Sequence, residues 1–194
     1  MKPIGDIESW LALGLIDGLG DESMRRLLVA FGSPAGILSA KAASLERLVK
    51  KKVVDSIIQG TDRKKIAATL KWRDDPENSI ITLADSDYSA LLLNIPEPPP
   101  RLYLKGKREL LSSPALAIVG SRNATPQGVA NAEAFAEAAS NAGLCIISGM
   151  ALGVDAAAHR GALRGTAASI PVGGTGLDIV YPSRNGELAH EPAK

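Results

Sequence analysis

From residue 115 onward the chain repeats one pattern, strand then loop then helix, and that pattern leaves few folds open. Ala115-Leu116-Ala117-Ile118-Val119 is a short continuous apolar run of the kind that a strand buried on both faces requires, and it ends at Gly120-Ser121-Arg122. Thr125 then caps a predicted helix with Pro126 in its first turn, which runs through Phe135 to Asn141 and stops at Gly143. Leu144-Cys145-Ile146-Ile147 is the second apolar run, ending at Ser148-Gly149, and Asp155 is placed to cap the helix that carries His159 to Leu163. Ala168-Ser169-Ile170-Pro171-Val172 is the third, running into Gly173-Gly174-Thr175-Gly176. Strands alternating with helices in this way imply right-handed crossovers, hence an α/β fold with a doubly wound parallel, Rossmann-like sheet.

The first third of the chain obeys a different period. Trp10, Leu11, Leu13, Leu15 and Ile16 lead into Asp17-Gly18-Leu19-Gly20, and Met24, Leu27, Leu28 and Phe31 recur at helical spacing before Gly32. Ser33-Pro34 opens a further helix, Ser44 and Glu46–Lys52 suggest another, and Asp62–Trp72 a last. Residues 1–72 thus read as a small all-helical module of five short helices. Residues 73–114 read as a connector with two short strands, Ile80–Leu83 and Leu102–Leu104, around the proline-rich stretch Pro96–Pro100. Residues 115–194 are the Rossmann-like domain.

The turn Asp17–Gly20 admits two readings. Its hydrophobic-glycine pattern resembles a helix-hairpin-helix, whose backbone N–H groups meet a DNA phosphate. It is equally an ordinary turn in which glycine permits a positive φ, and Asp17 and Asp21 flank it with charge that repels phosphate.

Net charge at first argues against nucleic acid: 22 basic and 21 acidic side chains leave +1 over 194 residues. The average hides segregation. Residues 41–73 carry ten basic and three acidic groups, whereas residues 74–100 carry six acids and no base. Local fields follow the segregation and not the total, although a basic run is also what a solvated helix face looks like. Hydrophobic residues at 45% and charged residues at 22% are those of a folded globular protein. No apolar run reaches membrane-spanning length, and two acids precede any apolar stretch at the N-terminus, so neither a membrane anchor nor a secretory signal is expected. One cysteine and two histidines cannot form an internal disulfide or a standard structural zinc site, which points to the reducing cytoplasm.

The chemistry lies where the three apolar runs end. Gly120-Ser121-Arg122, Ser148-Gly149 and Gly173–Gly176 fall together at the carboxyl edge of a parallel sheet, where open α/β folds bind ligands. Glycine there lets a ligand approach the backbone, and Arg122 adds a permanently charged fork suited to phosphate. The expected site is therefore for a phosphate, with Gly120, Ser121, Arg122, Ser148, Gly149, Gly174, Thr175 and Gly176 forming it. No GxGxxG follows the first run, no GxxxxGK[ST] and no GxSxG occur, so dinucleotide cofactors, Walker-type ATP hydrolysis and an α/β-hydrolase serine are not indicated. Asp155 and His159, at i and i+4, are an acid–base pair in principle, but without a nucleophile they read more naturally as structural. Cys145, inside a buried strand, reads as an inert core thiol. Tyr181 either stacks on a base or anchors a loop.

Ala117–Arg122, Ser148–Asp155, Ala158–Leu163 and Gly174–Asp178 with Tyr181-Pro182 and Asn185, in this order and spacing, closely resemble the DNA-processing protein A family, DprA or Smf. The resemblance extends over nearly the whole chain, including a helical N-terminal module of the SAM or helix-hairpin-helix kind, Tyr88 and the proline connector before Tyr103. It implies a homodimeric, cytoplasmic, non-enzymatic protein that binds and protects single-stranded DNA and helps load a RecA-type recombinase in natural transformation, without cofactor or metal. By the same resemblance the three loops form a DNA-phosphate pocket, joined by Arg184, because the lysine some members carry after the Tyr-Pro pair is Ser183 here. The family continues past the Tyr-Pro block with further strands, so the chain is expected to be truncated within its Rossmann-like domain, as a fragment or as a shortened relative. A LOG-type nucleotide-phosphoribose hydrolase is the alternative. Pro171–Asp178 matches that family's PGGxGTxxE block only loosely and lacks its glutamate. An inactive fragment whose helical module alone meets partners is a further reading.

Overall fold

The computed structural model describes residues 4–174 and 177. The chain divides into two compact units, Met1–Gly106 and Lys107–Lys194.

The first unit begins with six helices: α1 (Ile4–Gly14), α2 (Asp21–Phe31), α3 (Pro34–Leu38), α4 (Ala42–Leu45), α5 (Lys51–Gln59) and α6 (Arg63–Arg73). Their ends follow local chemistry. Gly32 closes α2 at φ 75°, and its N–H bonds the Leu28 carbonyl. Ser33 caps α3 by accepting from the Gly36 N–H at 3.0 Å, ahead of Pro34, and Asp62 caps α6 by accepting from the Lys64 N–H at 2.8 Å. Sequence reasoning ran one helix through Glu46–Lys52. The chain instead breaks there, α4 ending at Leu45 and α5 starting at Lys51, because Lys50 takes extended backbone (φ −64°, ψ 146°) and opens α5 as its N-cap. That core is built from large side chains: Trp10, Leu13, Ile16, Met24, Leu27, Ile37, Leu45, Val54 and Ile57 are buried together.

Segment 73–106, part of the expected connector 73–114, falls within this unit. Strands β1 (Asn78–Thr82) and β2 (Arg101–Lys105) pair antiparallel, with Ile81 opposite Leu102. The Tyr88 hydroxyl donates to the Pro99 carbonyl at 2.8 Å, Arg25 reaches the Pro96 carbonyl at 2.8 Å, and Leu83 packs on the helical core. Arg101 donates to the Gly14 carbonyl at 3.1 Å, and a β-carbon on Gly14 would sit inside its guanidinium. The proline-rich stretch is thereby stitched to the helices. A short helix, α7 (Ala90–Leu93), precedes it.

In the second unit, after a 3₁₀ turn at Arg108–Ser112, strands β3 (Ala115–Ala117), β4 (Cys145–Gly149) and β5 (Ser169–Val172) alternate with helices α8 (Pro126–Asn141) and α9 (Val154–Arg164). The sheet is parallel in the order β3-β4-β5, as a doubly wound fold requires. Thr125 caps α8 by accepting from the Gly128 N–H at 3.1 Å. α8 and α9 pack on each other and on β4, and the buried side chains between them are small: Ala136, Ala158 and Ala162 against Ile146. A β-carbon on Gly161 would lie 2.2 Å from the Glu133 carbonyl oxygen, so α9 approaches α8 as closely as backbones allow. Ser140, fully buried, donates to the Ala162 carbonyl at 3.0 Å and accepts from the Ala167 N–H at 3.0 Å. On the outside, Glu133 binds Arg160 at 2.8 Å and Arg164 at 3.0 Å. These arginines hold the Glu133 carboxyl below the usual carboxylate range, the Arg160 hydrogen bond foremost.

Two sequence expectations change here. The first apolar run is not a strand buried on both faces. β3 is exposed along its length and covers only Ala115–Ala117, because among the described residues it pairs on one side only, with β4. Beside it, Leu116, Ile118, Val119, Ala132, Phe135 and Ala139 line an open apolar groove of about 510 Å³. The second change concerns α9: Gly153 is its N-cap, and Asp155 sits inside the first turn without capping. On the far edge, the Ile146 N–H bonds the Ala168 carbonyl at 3.0 Å, and Ser148 stands level with Pro171.

Candidate phosphate-binding edge

The β3 loop and the start of α9 are locked together. The Val154 N–H donates to the Ser121 carbonyl at 3.1 Å. Gly153, at φ +78°, lies so close that a β-carbon there would meet the Ser121 carbonyl oxygen at 2.2 Å and the Arg122 carbonyl oxygen at 2.7 Å. Gly120 is equally confined, since its β-carbon would meet Val154 side-chain atoms at 2.8–3.0 Å. Glycine at both positions is thus a condition of the contact, which fixes where Ser121 and Arg122 stand. The Ser121 hydroxyl accepts from the Asn123 N–H at 3.1 Å and rigidifies the turn. Arg122 is exposed, and its guanidinium has no partner among the described residues. A fixed backbone carrying a free guanidinium is what a site for an incoming anion needs.

The β4 loop is positioned from beneath. Ser148 does not offer its hydroxyl to the rim: it is 2% exposed and donates to the Ile118 carbonyl at 2.6 Å, bracing β4 against the end of β3. Next to it, the Gly149 carbonyl accepts from His159 Nε2 at 2.8 Å, while His159 Nδ1 faces the Ser169 hydroxyl at 2.7 Å. Because a carbonyl can only accept, Nε2 carries the proton shared with Gly149, while Nδ1 shares a hydrogen bond with the Ser169 hydroxyl, which also reaches the Ile146 carbonyl at 3.3 Å. Burial is the largest influence on this imidazole and lowers its pKa, against weaker opposing effects of the Gly149 carbonyl and Asp155. His159 therefore ties α9, β4 and β5 together under the loops. A β-carbon at Gly149 would meet the Asp155 carboxylate at 2.5 Å, so this acid stands against the open face of the glycine. Gly174 is exposed with open space around it. Thr175, Gly176, Arg184 and Tyr181 lie outside the described residues.

The structure thus brings Gly120, Ser121 and Arg122 together with the α9 start, and it gives Ser148 a bracing position. Sequence reasoning missed Gly153 and the link from His159 to Gly149. The glycine was visible in Leu152-Gly153-Val154, but its partner loop thirty residues earlier was not. Cys145 is a free, buried thiol, and burial raises its pKa. Among the described residues, no cluster of His, Cys, Asp or Glu could hold a metal, and no helix is long and apolar enough to cross a membrane.

Comparison with known proteins decides the family. The family model described as DNA recombination-mediator protein A matches residues 79–194, more than half the chain and all of this edge. The chain belongs to that family. Members similar to it are protein Smf of Synechocystis, 32% identical over 190 residues, and protein Smf of Escherichia coli K12, 31% identical over 189 residues. Each alignment covers 95% of this chain and 48% of the relative, so this chain spans about half the length of these members. DNA processing protein DprA of Streptococcus pneumoniae is 40% identical over 107 residues, which are 55% of this chain and 38% of that protein. The X-ray structure of DNA processing protein A from the same organism superposes with a TM-score of 0.77 at 27% identity, over 97% of this chain and 64% of the other. The Rossmann-like family fold expected from the four sequence blocks is therefore present.

Proposed function

We propose that this family member is a sequence-independent single-stranded-DNA-binding protein that holds the strand by its phosphates at the loop edge of the second unit. Arg122 carries the reading: an exposed guanidinium, without a partner among the described residues, on a backbone fixed by Gly120 and Gly153. Gly174 provides backbone that a phosphate can approach, and Gly149, Thr175, Gly176 and Arg184 complete the set from the sequence. Ser148 and His159 act as positioning residues beneath the loops. The names of its relatives, DNA processing and recombination mediation, agree with a strand as ligand. In this reading no residue is catalytic and no cofactor takes part. Protection of incoming DNA, delivery to a RecA-type recombinase and action as a cytoplasmic homodimer complete the proposal, and rest on the family resemblance.

With seven aromatic residues in the whole chain, base stacking contributes little and phosphate contacts dominate, so affinity falls steeply with salt. Titrating a labelled oligothymidylate at two salt concentrations tests this. Arg122→Ala is expected to weaken binding about tenfold or more, as loss of a charge-assisted contact of ~1.5–3 kcal/mol implies. Undiminished binding by Arg122→Ala, or affinity indifferent to salt, rejects the site.

A further inference from the structure

The basic segment at residues 41–73 has a structural counterpart that the loop edge does not use. In the first unit a cavity of about 420 Å³ opens between the Asp17–Gly20 turn, the start of α2 and the α4–α5 junction. Three cations, Arg26, Arg47 and Lys50, line it, with Glu46 as the one acid of the lining. All three are exposed. Arg47 and Lys50 have no side-chain partner among the described residues, and Arg26 touches only the neighbouring Ser23 hydroxyl, at 3.3 Å. A cluster in which cations outnumber acids raises the local potential and draws a polyanion.

The turn that rims this cavity is open to a backbone ligand. Gly18, at φ +77°, lines it and presents no side chain. Asp17, which by sequence argued against an anion here, is within 3.5 Å of the Lys52 ammonium, so its charge is locally answered. Asp21 and Glu22 remain on the first turn of α2, but neither is part of the cavity wall. The lining therefore carries three positive charges against one negative.

We infer that this cavity is a second contact for the phosphodiester backbone of a single DNA strand, made by Arg26, Arg47 and Lys50 with the Gly18 turn. The inference rests on the reading of the protein as a strand binder, and the two are separable by experiment. Contacts of this kind add affinity without sequence preference, and each neutralised phosphate steepens the dependence of log K on log salt by about 0.7 for a single strand.

The test uses the 194-residue chain with a fluorescein-labelled oligothymidylate, in four versions: unchanged, Arg122→Ala, the triple Arg26→Gln/Arg47→Gln/Lys50→Gln, and both together. The triple is expected to lower affinity at least tenfold and to reduce the salt slope by about 2, three contacts at about 0.7 each. In the Arg122→Ala background, amide NMR signals of Gly18, Arg47 and Lys50 are expected to shift on adding the oligonucleotide. An unchanged affinity and slope in the triple, with its circular dichroism that of the unchanged chain, overturns this site and leaves the Arg122 edge standing. Loss in the triple with none in Arg122→Ala upholds the cavity and rejects the edge. A chain that binds no oligonucleotide rejects both. Preference for a duplex of equal length, or shifts that spare these three amides, overturns the assignment to a single strand here.

Discussion

The two units reach a folded core by opposite means. The first fills space with bulk: Trp10, Leu13, Met24, Leu27 and Ile37 interlock, and the β1–β2 ribbon is tied to the helices. The second removes space: Gly161, Ala136, Ala158 and Ala162 bring α8 and α9 together, and buried polar groups fix the joints. A bulk-filled core loses stability mainly when atoms are taken away, and a close-approach core when they are added. The second arrangement also places the loop edge accurately, because its glycines and its Ser140, Ser148 and His159 bonds each allow one arrangement.

The largest effect that breaks this contrast is expected from Leu27→Ala. Leu27 is fully buried, and its truncation costs about 2–5 kcal/mol in denaturant unfolding of the first unit. In the second unit, adding one carbon is expected to do comparable harm. Gly161→Ala gains about 1 kcal/mol of helix propensity but drives a β-carbon into the Glu133 carbonyl, for a net loss of about 1–3 kcal/mol. If Gly161→Ala stabilises the protein, the close-approach account is wrong. Ser140→Ala probes the polar joints: it strips the half-buried Ala167 N–H of its acceptor and the Ala162 carbonyl of a donor, at about 1–3 kcal/mol, with the first unit unchanged.

The smallest effect is one of pH. Burial lowers the pKa of His159 in the fold, so the unfolded chain takes up a proton at a higher pH than the folded one. The stability linked to this ring is complete above its ordinary value of about 6.5 and is lost as pH falls through the lowered folded value. Melting followed at pH 7.5 and pH 5.5 should show the second unit destabilised at the lower pH. His159→Gln, whose side chain does not titrate, should flatten that change. An equal acid response in His159→Gln would place its origin elsewhere.

Much of this was legible in the sequence because the signals were local. Gly32, Ser33-Pro34, Asp62 and Thr125-Pro126 each set a helix end through neighbours within four residues, and each stands where its chemistry predicts. The glycine-ended strands gave away the parallel sheet in the same way. What stayed hidden depends on partners far along the chain. The exposure of β3 is decided by which strands flank it, and an apolar run cannot report that. Asp155 looked like a cap until Gly153 took the position under constraint from the Ser121 carbonyl. Segment 73–106 had the composition of a linker, and only Arg101 reaching Gly14 and Arg25 reaching Pro96 show it folded back. At the candidate site, Arg122 was visible by residue type, whereas the bracing role of Ser148 required its position under Ile118.

Pro171 has a consequence for how this sheet can be extended. The Ala168 carbonyl faces β4, and strand residues alternate, so the outward-facing amide positions on β5 are those of residues 169 and 171, and proline at 171 supplies no N–H. That border is short of one amide donor. The opposite one, along Ala115–Ala117, pairs with no further strand among the described residues and lies beside the apolar Leu116 and Val119. The two borders of the described sheet therefore differ: a strand added beyond β5 meets a gap in the hydrogen-bond ladder at Pro171, and the β3 border has no such gap.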